Sequence, residues 1–167
     1  NKPFQPFVLL EDDVKKYRNL PNEIEIPNDT DILYIGLSKW GIIQKEPACY
    51  NSVFFTNIPE YPDIVKIYNM CSTHSLIICS INGLLTLQKC LMEDFYNNNG
   101  YDVTITKNQW HINTYALKKP LFYQYNRIGG DEESTRIEIA DNSEINIPNE
   151  NYLNKNTLTY NTKCIIK

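Results

Sequence analysis

Three consecutive carboxylates follow directly after an apolar run near the start of the chain. The run is Phe7–Leu10, and the acids are Glu11, Asp12 and Asp13. Adjacent like charges repel one another, so the cluster requires a compensating interaction. Hard cations such as Mg²⁺ and Mn²⁺ prefer carboxylate oxygens and leave positions for water and substrate phosphates. The cluster therefore predicts a site for Mn²⁺ or Mg²⁺, with Asp13 as the direct ligand and Asp12 or Glu11 beside it.

The same acids also have a structural interpretation. In an extended segment Glu11 and Asp13 project to one side and Asp12 to the other, so the three cannot bind one ion without a bend. A solvated turn whose acids cap a short helix within residues 14–20 would explain the cluster equally well. The residues alone leave both interpretations open.

Alternating strand and helix patterns surround the acidic cluster. Continuous apolar runs predict buried strands at residues 7–10 and 31–36, which we expect to be neighbours, and β-branched runs predict further strands at 64–68 and 75–79. Short strands are expected at 113–117 and 121–124. Residues 37–62 show little hydrophobic periodicity, and such a long irregular stretch is typical of a functional loop such as an active-site lid. This alternation predicts an α/β domain, in which ligands bind at the carboxyl ends of strands.

One helix is predicted with a clear start and a clear stop. Ser80 is placed to cap it, and the asparagine run before Gly100 ends it. Its apolar stripe consists of Leu84, Leu85, Leu87, Leu91 and Phe95.

The bulk composition is that of an ordinary globular protein. The 167 residues are 42% hydrophobic and 22% charged, so we expect one domain over residues 1–147 and a loosely ordered tail over 148–167. A formal net charge of -4 provides no basic field for nucleic acid. No apolar stretch is long enough to span a membrane. The five cysteines form no CxxC pair, so we expect reduced thiols.

Several blocks together resemble glycosyltransferase family 25, which includes lipopolysaccharide sugar transferases and procollagen galactosyltransferases. The blocks are PFVLLEDDV, DILYIG, THSLIICSINGLLTL, DVTI and NTYALKKPLFYQ, and the resemblance covers roughly residues 5–137. It implies a GT-A-like mixed sheet with flanking helices. The family's first βα unit, which holds much of the nucleotide base, would lie upstream of Asn1, so we expect this chain to be a piece of a longer protein.

The resemblance implies a metal-dependent transferase that moves a hexose from a nucleotide sugar to a hydroxyl of a glycan, lipid-linked or protein acceptor. The expected donor is a UDP-hexose. Glu11, Asp12 and Asp13 would be its DxD-type motif. Asp102 lies where the family places a functional acid and is the candidate base, with Glu132 in reserve.

Further candidates follow from residue type or from the resemblance. His74 and Trp40 would contact substrate, although a histidine bonded to the backbone and an aromatic core residue are the commoner outcomes. By resemblance, His111 would be a third metal ligand, and Gly130 and Thr135 would belong to a loop that approaches phosphate.

Two other functions remain open. One is a non-catalytic carbohydrate-binding or interaction domain derived from the same fold. The other is a metal-dependent phosphoryl or nucleotidyl transferase, although the chain shows no glycine-rich phosphate loop with lysine. We expect a cytoplasmic or viral-factory location. The secretory pathway is the alternative, because residues 28–30 form one glycosylation sequon.

Overall fold

The computed structural model describes residues 3–41, 53–98, 100–125 and 135–140. This part of the chain forms a mixed α/β fold with a six-stranded sheet, a two-stranded sheet and two helices. The elements are β1 (Phe7–Leu10), β2 (Val14–Lys16), β3 (Ile32–Tyr34), β4 (Phe54–Asn57), β5 (Ile64–Tyr68), β6 (Ser75–Ile78), α1 (Ile81–Asn97), α2 (Tyr101–Asn108), β7 (Thr114–Leu117) and β8 (Phe122–Gln124). The expected tail at 148–167 lies outside the described residues.

The large sheet is mixed, which agrees with the mixed sheet that the resemblance implies. Its strand order is β1-β6-β3-β7-β5-β4, in which β3 and β7 run parallel and the other neighbours run antiparallel. Leu33 lies opposite Ile77 on one side and Tyr115 on the other. The prediction that residues 7–10 and 31–36 are neighbours was wrong, because β6 lies between them.

Two apolar clusters cover the two faces of the central strand β3. Ile32 and Tyr34 belong to the larger cluster with Leu87 and Ile105 of the helices. Leu33 and Ile35 belong to a smaller cluster on the opposite face. Burial on both faces explains why β3 is a continuous apolar run rather than an alternating one.

The first strand is more exposed than its sequence predicted. Phe7, Val8 and Leu10 are 37%, 51% and 49% exposed, so the expectation of a fully buried strand was wrong. The strand is exposed because β1 lies at one edge of the sheet. Within β1, Leu9 packs against the larger apolar cluster. An apolar run by itself does not distinguish an edge strand from a central one.

Helix α1 confirms the predicted cap and corrects the predicted stripe. Ser80 Oγ accepts a hydrogen bond from the Gly83 N–H at 3.0 Å. Leu87 is buried, whereas Leu85 and Phe95 are 56% and 81% exposed. The helix therefore packs a narrower face on the sheet than the five apolar positions suggested.

A buried carboxylate connects the start of α1 to the sheet. Asp31 accepts hydrogen bonds from the Ser80 hydroxyl at 2.5 Å, the Asn82 side-chain amide at 3.0 Å and the Asn113 backbone N–H at 2.9 Å. A Cβ on Gly83 would lie 2.4 Å from the Asp31 carbonyl oxygen. Glycine is thus required for the close approach of the helix to β3.

Two further expectations about local structure were wrong. Residues 14–20 were expected to contain a helix, but β2 pairs antiparallel with β8. The irregular stretch 37–62 contains strand β4, which pairs with β5, and residues 42–52 lie outside the described part.

Cys71, Cys79 and Cys90 are free thiols. In the segments that the structure describes, no helix is both long and apolar enough to cross a membrane.

Candidate functional site

A cavity of about 450 Å³ lies where the end of β1, the loop before β6 and the start of α2 meet. The end of β8 and Trp40 complete its wall. Five residues singled out from sequence line it: Glu11, Trp40, His74, Asp102 and Thr135. Residues distant in the chain thus converge on one concave surface, which is the usual form of a binding or catalytic site.

Glu11 is held by hydrogen bonds inside this cavity. Its Oε1 accepts from the Thr73 hydroxyl at 2.6 Å and from the Tyr101 hydroxyl at 2.5 Å. Burial, followed by the hydrogen bond to Glu11, raises the pKa of Tyr101 to about 12, so this hydroxyl stays protonated and donates. These bonds offset part of the repulsion that the acidic cluster creates.

Asp102 faces the same cavity from the first turn of α2. Its Oδ1 accepts the Val103 backbone N–H at 2.8 Å, and its Oδ2 accepts the Cys71 thiol at 3.2 Å. Burial and then Asp102 raise the pKa of Cys71 to about 12, which keeps the thiol neutral. Because Tyr101 precedes Asp102, the contact of Tyr101 with Glu11 also fixes the start of this helix.

His74 is 2% exposed and lines the cavity. Its Nδ1 lies 2.7 Å from the Ser72 hydroxyl, and Nε2 has no hydrogen-bond partner among the described residues. A Cβ on Gly36 would lie 2.1 Å from Nε2, so that edge of the ring packs against backbone. Burial lowers the pKa of His74 to about 4, against the raising influence of Asp13 and the Phe122 backbone. The imidazole is therefore neutral near pH 7.

The two aspartates after Glu11 occupy different environments. Asp12 is exposed in the turn between β1 and β2. Asp13 Oδ2 accepts from the Gln124 amide at 3.0 Å, and Oδ1 is buried with no hydrogen-bond partner in the described part of the chain. The three acids therefore do not converge on one point: Glu11 lines the cavity and Asp13 contacts Gln124 at its wall.

The remaining candidates divide between the cavity and other places. Trp40 is 36% exposed, and the buried Thr135 hydroxyl accepts the Gln124 backbone N–H at 3.0 Å. His111 is exposed in the turn after α2 and is not among the described residues that line the cavity. Gly130 and Glu132 lie outside the described residues.

Sequence reasoning missed several residues that shape the site. Thr73 and Tyr101 hold Glu11, Cys71 holds Asp102, and Gln124 joins Asp13 to Thr135. The position of Tyr101 directly before Asp102 was an available signal. The other contacts join segments far apart in the chain and have no local pattern.

The described residues contain no group of three or more His, Cys, Asp or Glu side chains that would hold a metal ion. Comparison with known proteins found no matching family model, no matching curated protein and no matching solved structure.

Proposed function

We propose that this chain is a glycosyltransferase with a GT-A-like fold, which moves a hexose from a nucleotide sugar such as a UDP-hexose to a hydroxyl acceptor on a glycan, lipid or protein. The proposal starts from the resemblance of its sequence blocks to glycosyltransferase family 25. One observation supports it best. Glu11, from the acidic cluster after β1, and Asp102, from the first turn of α2, are far apart in the chain but line the same cavity.

The side chains at this cavity have the types that glycosyl transfer requires. The Asp102 carboxylate would accept the proton of the attacking acceptor hydroxyl. Trp40, at the wall, offers an aromatic face for the apolar side of a sugar ring. Glu11 would act through Tyr101 by holding the start of α2, and hence Asp102, in place.

The proposed reaction implies a divalent cation, and one residue fits it. Asp13 Oδ1 is a buried carboxylate oxygen without a hydrogen-bond partner in the described segments, and Mg²⁺ sites often use one or two carboxylates together with substrate phosphates. Asp13 would hold Mn²⁺ or Mg²⁺ through this oxygen. When bound, the ion would supply positive charge that stabilises the departing diphosphate.

A second candidate is carbohydrate binding without turnover. Both oxygens of Asp102 already accept hydrogen bonds, from Val103 and Cys71, which suits a fixed binding group as well as a base. Trp40 and the carboxylates would then recognise sugar faces and hydroxyls without chemistry.

The two candidates are separated by a turnover assay on the full-length protein. Nucleotide release and sugar transfer are measured over a panel of UDP, GDP and CMP sugars with Mn²⁺. Asp102→Asn should lower turnover by about a hundredfold or more, because positioned proton transfer contributes a factor of that order. The Asp102→Asn variant should still bind Mn²⁺ and nucleotide, which calorimetry measures. Glu93→Gln on α1 is the matched control and should keep wild-type turnover.

Full turnover in Asp102→Asn would remove this residue from the mechanism. Binding of neutral oligosaccharides without turnover of any donor would favour the carbohydrate-binding function instead.

A further inference from the structure

Helix α1 carries apolar side chains on two opposite sides. Its buried side, which includes Gly83, Leu87 and Cys90, packs on the large sheet and on α2. A second set of apolar side chains projects into solvent. Its members are separated by three, four or seven residues, so they lie along one side of the helix. We name this set the outer face of α1: Ile81, Leu85, Met92, Phe95 and Tyr96.

The outer face is strongly exposed over its whole length. Phe95 and Tyr96 are 81% and 74% exposed, and the other three side chains are each slightly more than half exposed. The two rings meet edge to face at 5.5 Å, which restricts the most exposed part of the face. Single apolar residues on a surface are ordinary, whereas a continuous stripe over about four helical turns is typical of an interaction surface.

The area of the outer face is sufficient for a pair of identical chains. A fully covered aromatic side chain buries about 200 Å², so Phe95 and Tyr96 together expose about 300 Å². With the other three side chains the face offers roughly 500 Å², and the same face on two copies would bury roughly 1,000 Å² in total. Specific interfaces begin at about this size, and the smallest associate weakly. We therefore expect dimerisation in the micromolar range.

The charges of α1 argue against a membrane as the occupant of the outer face. Helices that lie on a membrane surface carry many Lys and Arg residues on their polar side. The sequence of α1 contains one basic residue, Lys89, whose Nζ forms an ion pair with Glu93 at 3.8 Å. Asp94 adds a further negative charge. The helix therefore has no positive field for anionic lipids.

The pattern of the outer face is self-complementary. Gln88 is exposed and lies midway along it, between Leu85 and Met92. In an antiparallel pair about a two-fold axis at Gln88, Leu85 of one copy would lie beside Met92 of the other. Ile81 would lie beside Tyr96 in the same way. Gln88 would meet its own copy, and a primary amide both donates and accepts hydrogen bonds, so it can pair with itself.

We propose that the outer face of α1 is a self-association surface, on which two copies of this chain pair antiparallel about Gln88. Pairing removes from water the most exposed large apolar side chains of the described residues, which is the driving force for association. The proposal is independent of the proposed function, because no residue of α1 is among the described residues that line the candidate cavity.

Sedimentation velocity of the full-length protein, over a concentration series in the micromolar range, tests the proposal. The wild type should pass from monomer to dimer. Leu85→Gln/Phe95→Gln should weaken the dimer by about tenfold or more, because two apolar side chains of the face are lost. Both positions are exposed, so circular dichroism should show an unchanged fold. Leu20→Gln, at a 55% exposed position outside α1, is the matched control and should dimerise like the wild type.

Charge substitutions at Gln88 test the two-fold arrangement itself. Gln88→Glu and Gln88→Lys should each weaken dimerisation by about tenfold, because like charges would meet at the axis. A mixture of these two variants should dimerise again, since opposite charges then meet. Pairing of this position with its own copy predicts that rescue, whereas a partner of another kind does not.

Three results would each overturn the proposal: a wild type that stays monomeric throughout the series, a dimer that Leu85→Gln/Phe95→Gln leaves intact, or a mixture of the Gln88 variants that does not dimerise. If the wild type is monomeric, binding to phosphatidylcholine vesicles that the double variant loses would assign the face to a lipid surface. A lower melting temperature of that variant would instead assign it to another segment of the same chain.

Discussion

The buried histidine at the cavity wall should make the protein less stable in mild acid. Burial lowers the pKa of His74 from the ordinary value of 6.5 to about 4, so the unfolded chain binds a proton at this residue before the folded chain does. Stability from this group is therefore complete above pH 6.5 and is lost as the pH falls towards 4. A difference of this size corresponds to about 3 kcal/mol of unfolding free energy, with a slope that cannot exceed about 1.4 kcal/mol per pH unit.

Urea denaturation followed by circular dichroism over this pH range measures the effect. The chain has two histidines, so His111→Gln, at an exposed position outside the described lining of the cavity, is the matched control. His74→Gln should flatten the slope. The comparison uses slopes rather than absolute stabilities, because His74→Gln also loses the contact with Ser72. Asp13→Asn should steepen the wild-type slope, since the charge of Asp13 favours the protonated imidazole. Identical slopes in His74→Gln and the wild type would refute the reasoning.

Three further predictions concern stability. Gly83→Ala should lower the free energy of unfolding by about 1–3 kcal/mol, although alanine favours helices more than glycine does. The reason is that the new Cβ would lie 2.4 Å from the Asp31 carbonyl oxygen. In urea denaturation the control Met92→Ala, at a 51% exposed position of the same helix, should cost less. Asp31→Ala should cost about 1–3 kcal/mol because the Ser80 hydroxyl, the Asn82 side-chain amide and the Asn113 backbone N–H would all lose their acceptor, and a denaturation midpoint unchanged from the wild type would contradict this. In a double-mutant cycle, the losses of unfolding free energy caused by Glu11→Gln and Tyr101→Phe should differ from additivity by about 1–2 kcal/mol, because the two side chains share a hydrogen bond. Additive losses would show that this hydrogen bond contributes little to stability.

Elements with local signals were predicted well from the sequence. The Ser80 cap, the apolar periodicity of α1 and the β-branched run of β6 depend on residues within one or two turns of each other. Strand β2 has three residues and is stabilised by pairing with β8, more than a hundred positions later. No property of residues 14–20 alone distinguishes that pairing from a helix.

The same distinction applies to the candidate site. Glu11, His74 and Asp102 were identified from their residue types or from the family resemblance, and all line one cavity. The sequence could not show that Asp12 is exposed, or that Glu11 is held by Thr73 from before β6. Those facts follow from a turn geometry and a strand order that arise only when the whole sheet assembles.

Strand β1 pairs with β6 alone among the strands that the structure describes, so its other side presents backbone donors and acceptors at the spacing of an incoming strand. Apolar side chains such as Val8 lie along this rim, and such rims template intermolecular sheets in concentrated solution. A lysine at position 8 would place charge on the rim without entering the core, which is how natural proteins commonly prevent this form of aggregation.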